Sequence, residues 1–164
     1  MKLAVREAKR SELSVVVRLL AQMDSEPPMS ITRAQRIFRE MARYPDYRCY
    51  LAFDGAEPVG TFTLLIFAAL VHGGASEGLV DGVVVAAHRR GEGIGQKMMH
   101  EAMRLAATAG CYKLALSSNI KRADAHRFYE SLGFRRHGIS FVIDTSERAD
   151  AAMRTAEALM PIPD

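Results

Sequence analysis

The stretch from Val80 to Ala109 constrains this chain more than any other, because its hydrophobic period changes partway along. Val83, Val84 and Val85 form a β-branched apolar run, which suits a strand buried on both faces. Further on, Ile94, Met98, Ala102, Leu105, Ala106 and Ala109 recur at spacings of three and four, the stripe of an amphipathic helix. Between the two lie His88, Arg89 and Arg90, then Gly91, Gly93 and Gly95. The segment therefore reads as strand, glycine turn and helix, with the glycines at the helix start. Amides in the first turn of a helix lack intrahelical acceptors, and that end carries about half a positive charge, so it attracts anions. Glycines let a bulky polyanion approach the backbone, and Arg90 adds charge. A phosphate or pyrophosphate is the ligand class this favours. A turn that serves packing alone is the competing reading, weakened by the adjoining arginines.

Two phosphate-binding motifs are disfavoured. A P-loop needs Ser or Thr after its Gly-Lys pair to reach magnesium, whereas Met98 follows Lys97. A dinucleotide fingerprint spaces its glycines as G-x-G-x-x-G, and Met98 stands where the last glycine would fall after Gly93 and Gly95. Arg90-Gly91-Glu92-Gly93-Ile94-Gly95 instead resembles the Arg/Gln-x-x-Gly-x-Gly/Ala signature of the GCN5-related N-acetyltransferases. A second block, Ala125-His126-Arg127-Phe128-Tyr129 through Gly133-Phe134, is similar to the A-x-x-F-Y-x-x-x-G-F block of the same family. The resemblance is strong from Val80 to Phe134 and weaker elsewhere between Lys2 and Ile143.

Composition sets the outer bounds. The 164 residues fit one domain, 1–164, with a core over 2–143 and a C-terminal helix over 147–160. A hydrophobic content of 49% with 25% charged residues is ordinary for a globular protein. The net charge of +3 is modest and its basic residues are scattered, which argues against a nucleic-acid partner but permits an anionic co-substrate. Cys49 and Cys111 are too few for a disulfide framework and lack C-x-x-C spacing, so both read as thiols in a reducing compartment. The most apolar run, Val59 to Val71, is too short and punctuated to span a bilayer, and no signal peptide is evident. A cytoplasmic enzyme with no membrane partner is the expectation.

Along the chain, Lys2 to Ala8 reads as a first strand. A helix capped by Ser11 runs to Pro27-Pro28, and a second, capped by Ser30, ends near Pro45. Arg48–Phe53 and Val59–Val71 are β-rich runs joined at Asp54-Gly55, a hairpin signal. Gly110 closes the long helix, Tyr112 to Leu116 alternates as a strand, and Ala123 to Leu132 forms a short helix closed by Gly133. Phe134 to Ile143 reads as a last strand, and Glu147 to Met160 as a terminal helix. The fold class is α/β, a central mixed sheet with helices on both faces, as the resemblance also implies. The Asp24–Ser30 link reads as lining an entrance.

The resemblance implies acetyl-CoA as co-substrate, with no metal, and transfer of its acetyl group to a primary amine. Its pyrophosphate would lie on Arg90, Gly91, Glu92, Gly93, Ile94, Gly95 and Gln96. The main chain of Val83, Val84 and Val85 would meet the pantetheine and the acetyl oxygen where two strands splay. Tyr129 corresponds to the family's general acid. Asp81, where relatives often carry a Glu, and Glu77 on the same face are the candidate bases, though both also read as solvated strand-end charges. His72 and His126 rank lower. Many members carry an Asn where this chain has Arg122, so that pantetheine contact falls to Arg122 or to Asn119. A peptide acetyltransferase and a non-catalytic acyl-CoA-binding module remain alternatives, and a homodimer is compatible with the resemblance. The stretch from Ser117 to Tyr129 is locally similar to aminoalkylphosphonate acetyltransferases. Lys121 and Arg122 could there attract an anionic group on a small amine; the competing reading is a solvated turn or a contact to a CoA phosphate.

Overall fold

The computed structural model describes residues 3–24 and 27–143. By backbone contacts the chain forms two units, Met1–His126 and Arg127–Asp164. The first holds a five-stranded sheet in the order β1 (Leu3–Glu7), β2 (Tyr47–Asp54), β3 (Glu57–Ala68), β4 (Ser76–Val85) and β5 (Cys111–Ala115). Neighbours from β1 to β4 run antiparallel, and β5 runs parallel to β4. That makes the sheet mixed. β2 and β3 meet at Gly55-Ala56, where Gly55 takes the left-handed conformation a tight hairpin turn requires.

Helices cover both faces. α1 (Leu13–Asp24) and α2 (Ile31–Met41) pack on one, where Cys49 and Leu51 are buried with Val16 and Leu19. α3 (Ile94–Thr108) packs on the other along the buried stripe Ile94, Met98, Ala102 and Ala106. The helix lies close to the strands because Gly60 has no side chain. A Cβ there would stand 2.5 Å from Met98 Sδ and 2.9 Å from the Val84 carbonyl. Completely burying Phe62, Leu64 and Met98 contributes about 1.5–3 kcal/mol each, which fixes the sheet against α3.

Most local signals act as expected. Ser30 Oγ accepts the Arg33 amide at 3.3 Å and starts α2. α1 differs: a 3-10 turn over Arg10–Glu12 precedes it, and the Glu12 carboxylate, rather than Ser11, accepts the Lys9 amide. Glu12 also pairs with Arg6, whose hydrogen bond holds its carboxyl down to about 2. The second unit contains the greater part of α4 (Ala123–Ser131), closed by Gly133. Phe134–Ile143 is not a strand. Its second half, Ile139 to Ile143, is rich in β-branched and aromatic residues, but a strand also needs a hydrogen-bonded neighbour, and this segment has none among the described residues. Ile139, Phe141 and Val142 are left 82%, 91% and 96% exposed. The helix expected over 147–160 lies outside the described residues.

Candidate active site

β4 carries the site because its two edges end at different places. Its β3 edge is paired as far as Val85, opposite Gly60. Its β5 edge is paired only from Ser76 to Leu79, opposite Cys111 to Ala115. From Val80 onward, the alternate peptide groups facing the β5 side have no ladder partner, although Val85's carbonyl accepts from Arg90 Nε at 3.3 Å. A β-bulge adds a bend: between the pairs Thr61–Val84 and Thr63–Asp81, β4 holds one residue more than β3. Gly82 absorbs it at φ +59°, a conformation that favours glycine. Its amide is held by Asp81 Oδ1 at 2.7 Å, and Thr63 Oγ1 donates to the Asp81 carbonyl at 3.0 Å.

β4 leads into the glycine turn. Gly93 stands before α3 at φ +75° and ψ 7°, with no side chain to cap the helix. The first helical bond runs from Lys97 N–H to the Gly93 carbonyl, which leaves the Ile94, Gly95 and Gln96 amides without helical acceptors. Among the described residues, chain neighbours apart, no atom lies within 4 Å of a Cβ built at Gly91 or Gly93, so this turn faces open space.

The adjacent arginines have different surroundings. Arg89 pairs with Asp54 at 2.8 Å, Glu57 at 2.5 Å and Glu92 at 2.9 Å, and its hydrogen bonds to Asp54 and Glu92 push its pKa further up. It ties the turn to the β2–β3 hairpin and occupies the Glu92 carboxylate, which would otherwise repel an anion. Arg90 is exposed and meets only main-chain carbonyls, of Val85 and, at 3.4 Å, Gln22. Among the described residues no carboxylate neutralises it. The sequence motif had singled out Arg90, but nothing in it showed that Arg89 would be taken up by the hairpin.

The candidate bases separate in the same way. Glu77 lies in the paired half of β4, where Lys113 Nζ at 2.9 Å and Tyr112 OH at 3.0 Å bind its carboxylate. These hydrogen bonds, Lys113's foremost, hold its pKa below the usual carboxylate range. A carboxylate so satisfied makes a poor proton acceptor. Asp81 lies in the unpaired half, exposed, with no cationic partner among the described residues.

Asp81 borders a cavity of about 360 Å³ between α1, α2 and the sheet, which Pro27, Pro28 and Met29 help to line. Tyr47, Cys49 and Thr63 supply the other polar groups. Burial, then the Asp81 charge, pushes the Tyr47 phenol up, and burial does the same to the Cys49 thiol. Both stay protonated at neutral pH, so Cys49 is no ready nucleophile. The sequence had marked the Asp24–Ser30 link as lining an entrance, and Pro27, Pro28 and Met29 do line this cavity; the part played by α1 and α2 was not foreseen.

Two other predicted contacts are engaged locally. Asn119 Oδ1 accepts the Lys121 amide at 2.9 Å, and the Asn119 carbonyl meets His126 Nε2 at 3.0 Å. Arg122 is exposed at the start of α4. Ser118 Oγ, which sequence reasoning missed, is buried without a hydrogen-bond partner among the described residues, three positions beyond β5. In the second unit, Tyr129 is half-buried, its ring centroid 5.8 Å from that of Phe134 in an edge-on contact. Among the described residues no helix is long and apolar enough to cross a membrane.

Comparison with known proteins agrees with this architecture. The model of the acetyltransferase (GNAT) family matches residues 16–134. The glucosamine 6-phosphate N-acetyltransferase of Trypanosoma brucei brucei is 31% identical over 137 residues, covering 82% of this chain and 90% of its own. The aminoalkylphosphonate N-acetyltransferase of Salmonella typhimurium is 35% identical over 97 residues, 59% of this chain and 62% of its own. A solved Trypanosoma brucei acetyltransferase superposes with a TM-score of 0.75 at 28% identity, covering 87% of this chain and 99% of its own. Acetyl-CoA is the co-substrate of the family, and this chain is an acyltransferase of the GNAT family.

Proposed function

We propose that this enzyme moves the acetyl group of acetyl-CoA directly to the primary amine of a small molecule, as one domain acting in the cytoplasm without nucleic acid or membrane. The observation that carries this reading is the end of β5 pairing at Leu79, just where β4 continues toward an uncapped glycine turn. Free peptide groups and an anion-binding helix start thus follow one another along the chain. Arg90 to Gln96 would take the pyrophosphate and Val83 to Val85 the pantetheine. Asn119 or Arg122 would supply a further contact, and the unpartnered Ser118 hydroxyl favours a ligand group near it.

In the reaction, the neutral amine attacks the thioester carbonyl carbon, and the C–S bond breaks as the tetrahedral adduct collapses. Asp81 receives the amine proton, directly or through one water, and Tyr129 gives its hydroxyl proton to the departing thiolate. Amides of β4 stabilise the oxyanion. Asp81 is preferred to Glu77 because Glu77 is already bound by Lys113 and Tyr112. Support for a small acceptor comes from the cavity of about 360 Å³ beside Asp81 and from two relatives named for small amines. Unpaired Cys49 and Cys111 fit a reducing compartment. The test is amine-dependent thiol release from acetyl-CoA over a broad panel of small amines and peptides. Turnover of small amines is expected; turnover of peptides alone would reject the acceptor class, and binding of acetyl-CoA without any turnover would leave a binding module.

A further inference from the structure

We infer that the acceptor is a primary amine with an apolar tail, held in the cavity between α1, α2 and the sheet with its nitrogen at Asp81. The inference rests on the acetyl-transfer reading and specifies its acceptor. The cavity's walls are hydrocarbon: Val16 and Leu20 of α1, Ile37, Phe38 and Met41 of α2, and Pro28 of the link. Asp81 is the sole formally charged side chain among the described lining residues. Tyr47 and Thr63 add hydroxyls close to it in the sheet. The link itself reads Asp24-Ser25-Glu26-Pro27-Pro28-Met29-Ser30, which contains no cation.

A phosphate or carboxylate entering here would leave water, find no positive partner among the described lining residues and meet the Asp81 charge. An alkylamine matches instead, its nitrogen at Asp81 and its tail among the aliphatic walls; it arrives as the ammonium and gives one proton to water, so that the neutral amine attacks and Asp81 takes the second. Lys121 and Arg122, the sequence's candidates for an anionic acceptor, do not line this cavity. Its position relative to the reaction centre is also set by structure. Leu20, Ala21 and Met23 line it, and Gln22 among them accepts the Ala87 amide at 2.8 Å while its carbonyl meets Arg90. One turn of α1 therefore borders both the acceptor cavity and the start of the glycine turn.

The experiment measures thiol release by the full chain with ethylamine, butylamine, hexylamine and phenethylamine, against glucosamine 6-phosphate, 2-aminoethylphosphonate and β-alanine. Over the alkylamines, kcat/KM is expected to rise about fourfold per methylene until the cavity is filled, with the anionic amines at least about tenfold below hexylamine. Turnover that favours the anionic amines, or is indifferent to tail length, would overturn the apolar acceptor and leave acetyl transfer standing. Thiol release with none of the amines, despite acetyl-CoA binding, would instead remove the acetyl-transfer reading on which it depends. Met29→Lys is a second probe, since Met29 lines the cavity and is 41% exposed, so a lysine can be accommodated there. It should lower kcat/KM for hexylamine about tenfold and leave the KM for acetyl-CoA unchanged. Unaltered hexylamine kinetics would show that the tail does not bind there.

Discussion

The two halves of β4 share one strand and one neighbour, β3, yet differ in what they can do. From Ser76 to Leu79 the strand is paired on both edges, and its one acid, Glu77, is bound by Lys113 and Tyr112. From Val80 to Val85 it is paired by β3 alone, bent by a bulge at Gly82, and its acid, Asp81, opens onto a cavity. In the first half, ladder bonds engage the peptide groups on both edges, and Lys113 and Tyr112 engage the Glu77 carboxylate. Chemistry becomes available where pairing stops. A fold that kept β4 and β5 paired through Val85 would gain hydrogen bonds and lose the free peptide groups that we propose meet the co-substrate.

The sharpest break in that comparison comes from exchanging the two acids. Asp81→Asn keeps an oxygen for the Gly82 amide but cannot take a proton, so kcat should fall about 10²-fold with the acetyl-CoA Kd unchanged. Tyr129→Phe, which removes the proposed proton donor to the thiolate, should cost a similar factor in kcat, and equal turnover would leave Tyr129 a packing residue against Phe134.

A smaller effect is expected at the turn that the unpaired half leads into. Gly93→Asp and Gly93→Asn carry the same backbone strain at φ +75°, so comparing them isolates charge. The aspartate should weaken acetyl-CoA binding by about fivefold relative to the asparagine, as measured by titration calorimetry, following the ~1 kcal/mol of a helix-end interaction. The smallest effect on turnover belongs to the paired half. Glu77→Gln should leave kcat within about twofold and change stability instead. Because Glu77's pKa is lowered in the fold, its contribution is complete above the ordinary glutamate pKa and is lost as pH falls through the lowered value. Thermal melts of the parent and Glu77→Gln should therefore differ near neutral pH and converge in acid.

The same contrast explains what could be read from the sequence. The stripe Ile94, Met98, Ala102 and Ala106, the Ser30 cap and the Asp54-Gly55 turn are local signals, and each formed the expected element. The family's two motifs also lie in local sequence. Partnership is not local. Phe134–Ile143 ends in a run suited to a strand, yet nothing within it reveals whether a neighbour will pair with it. Arg89 and Arg90 are identical and adjacent, and the approach of Asp54 and Glu57 from the hairpin, together with Glu92, separates their environments. The void between α1 and α2 depends on how far two apolar stripes stand apart, which their spacing in sequence does not encode.

Amide chemical shifts of the full chain, recorded as CoA is titrated in, test the central claim most directly. The account predicts that Val83, Val84 and Val85 shift together with Gly91 through Gln96, while Glu77, Gly78 and Leu79 stay within the noise. Shifts concentrated on Glu77 to Leu79, or a glycine turn that does not respond, would show that the ligand binds where β4 is fully paired and would contradict it.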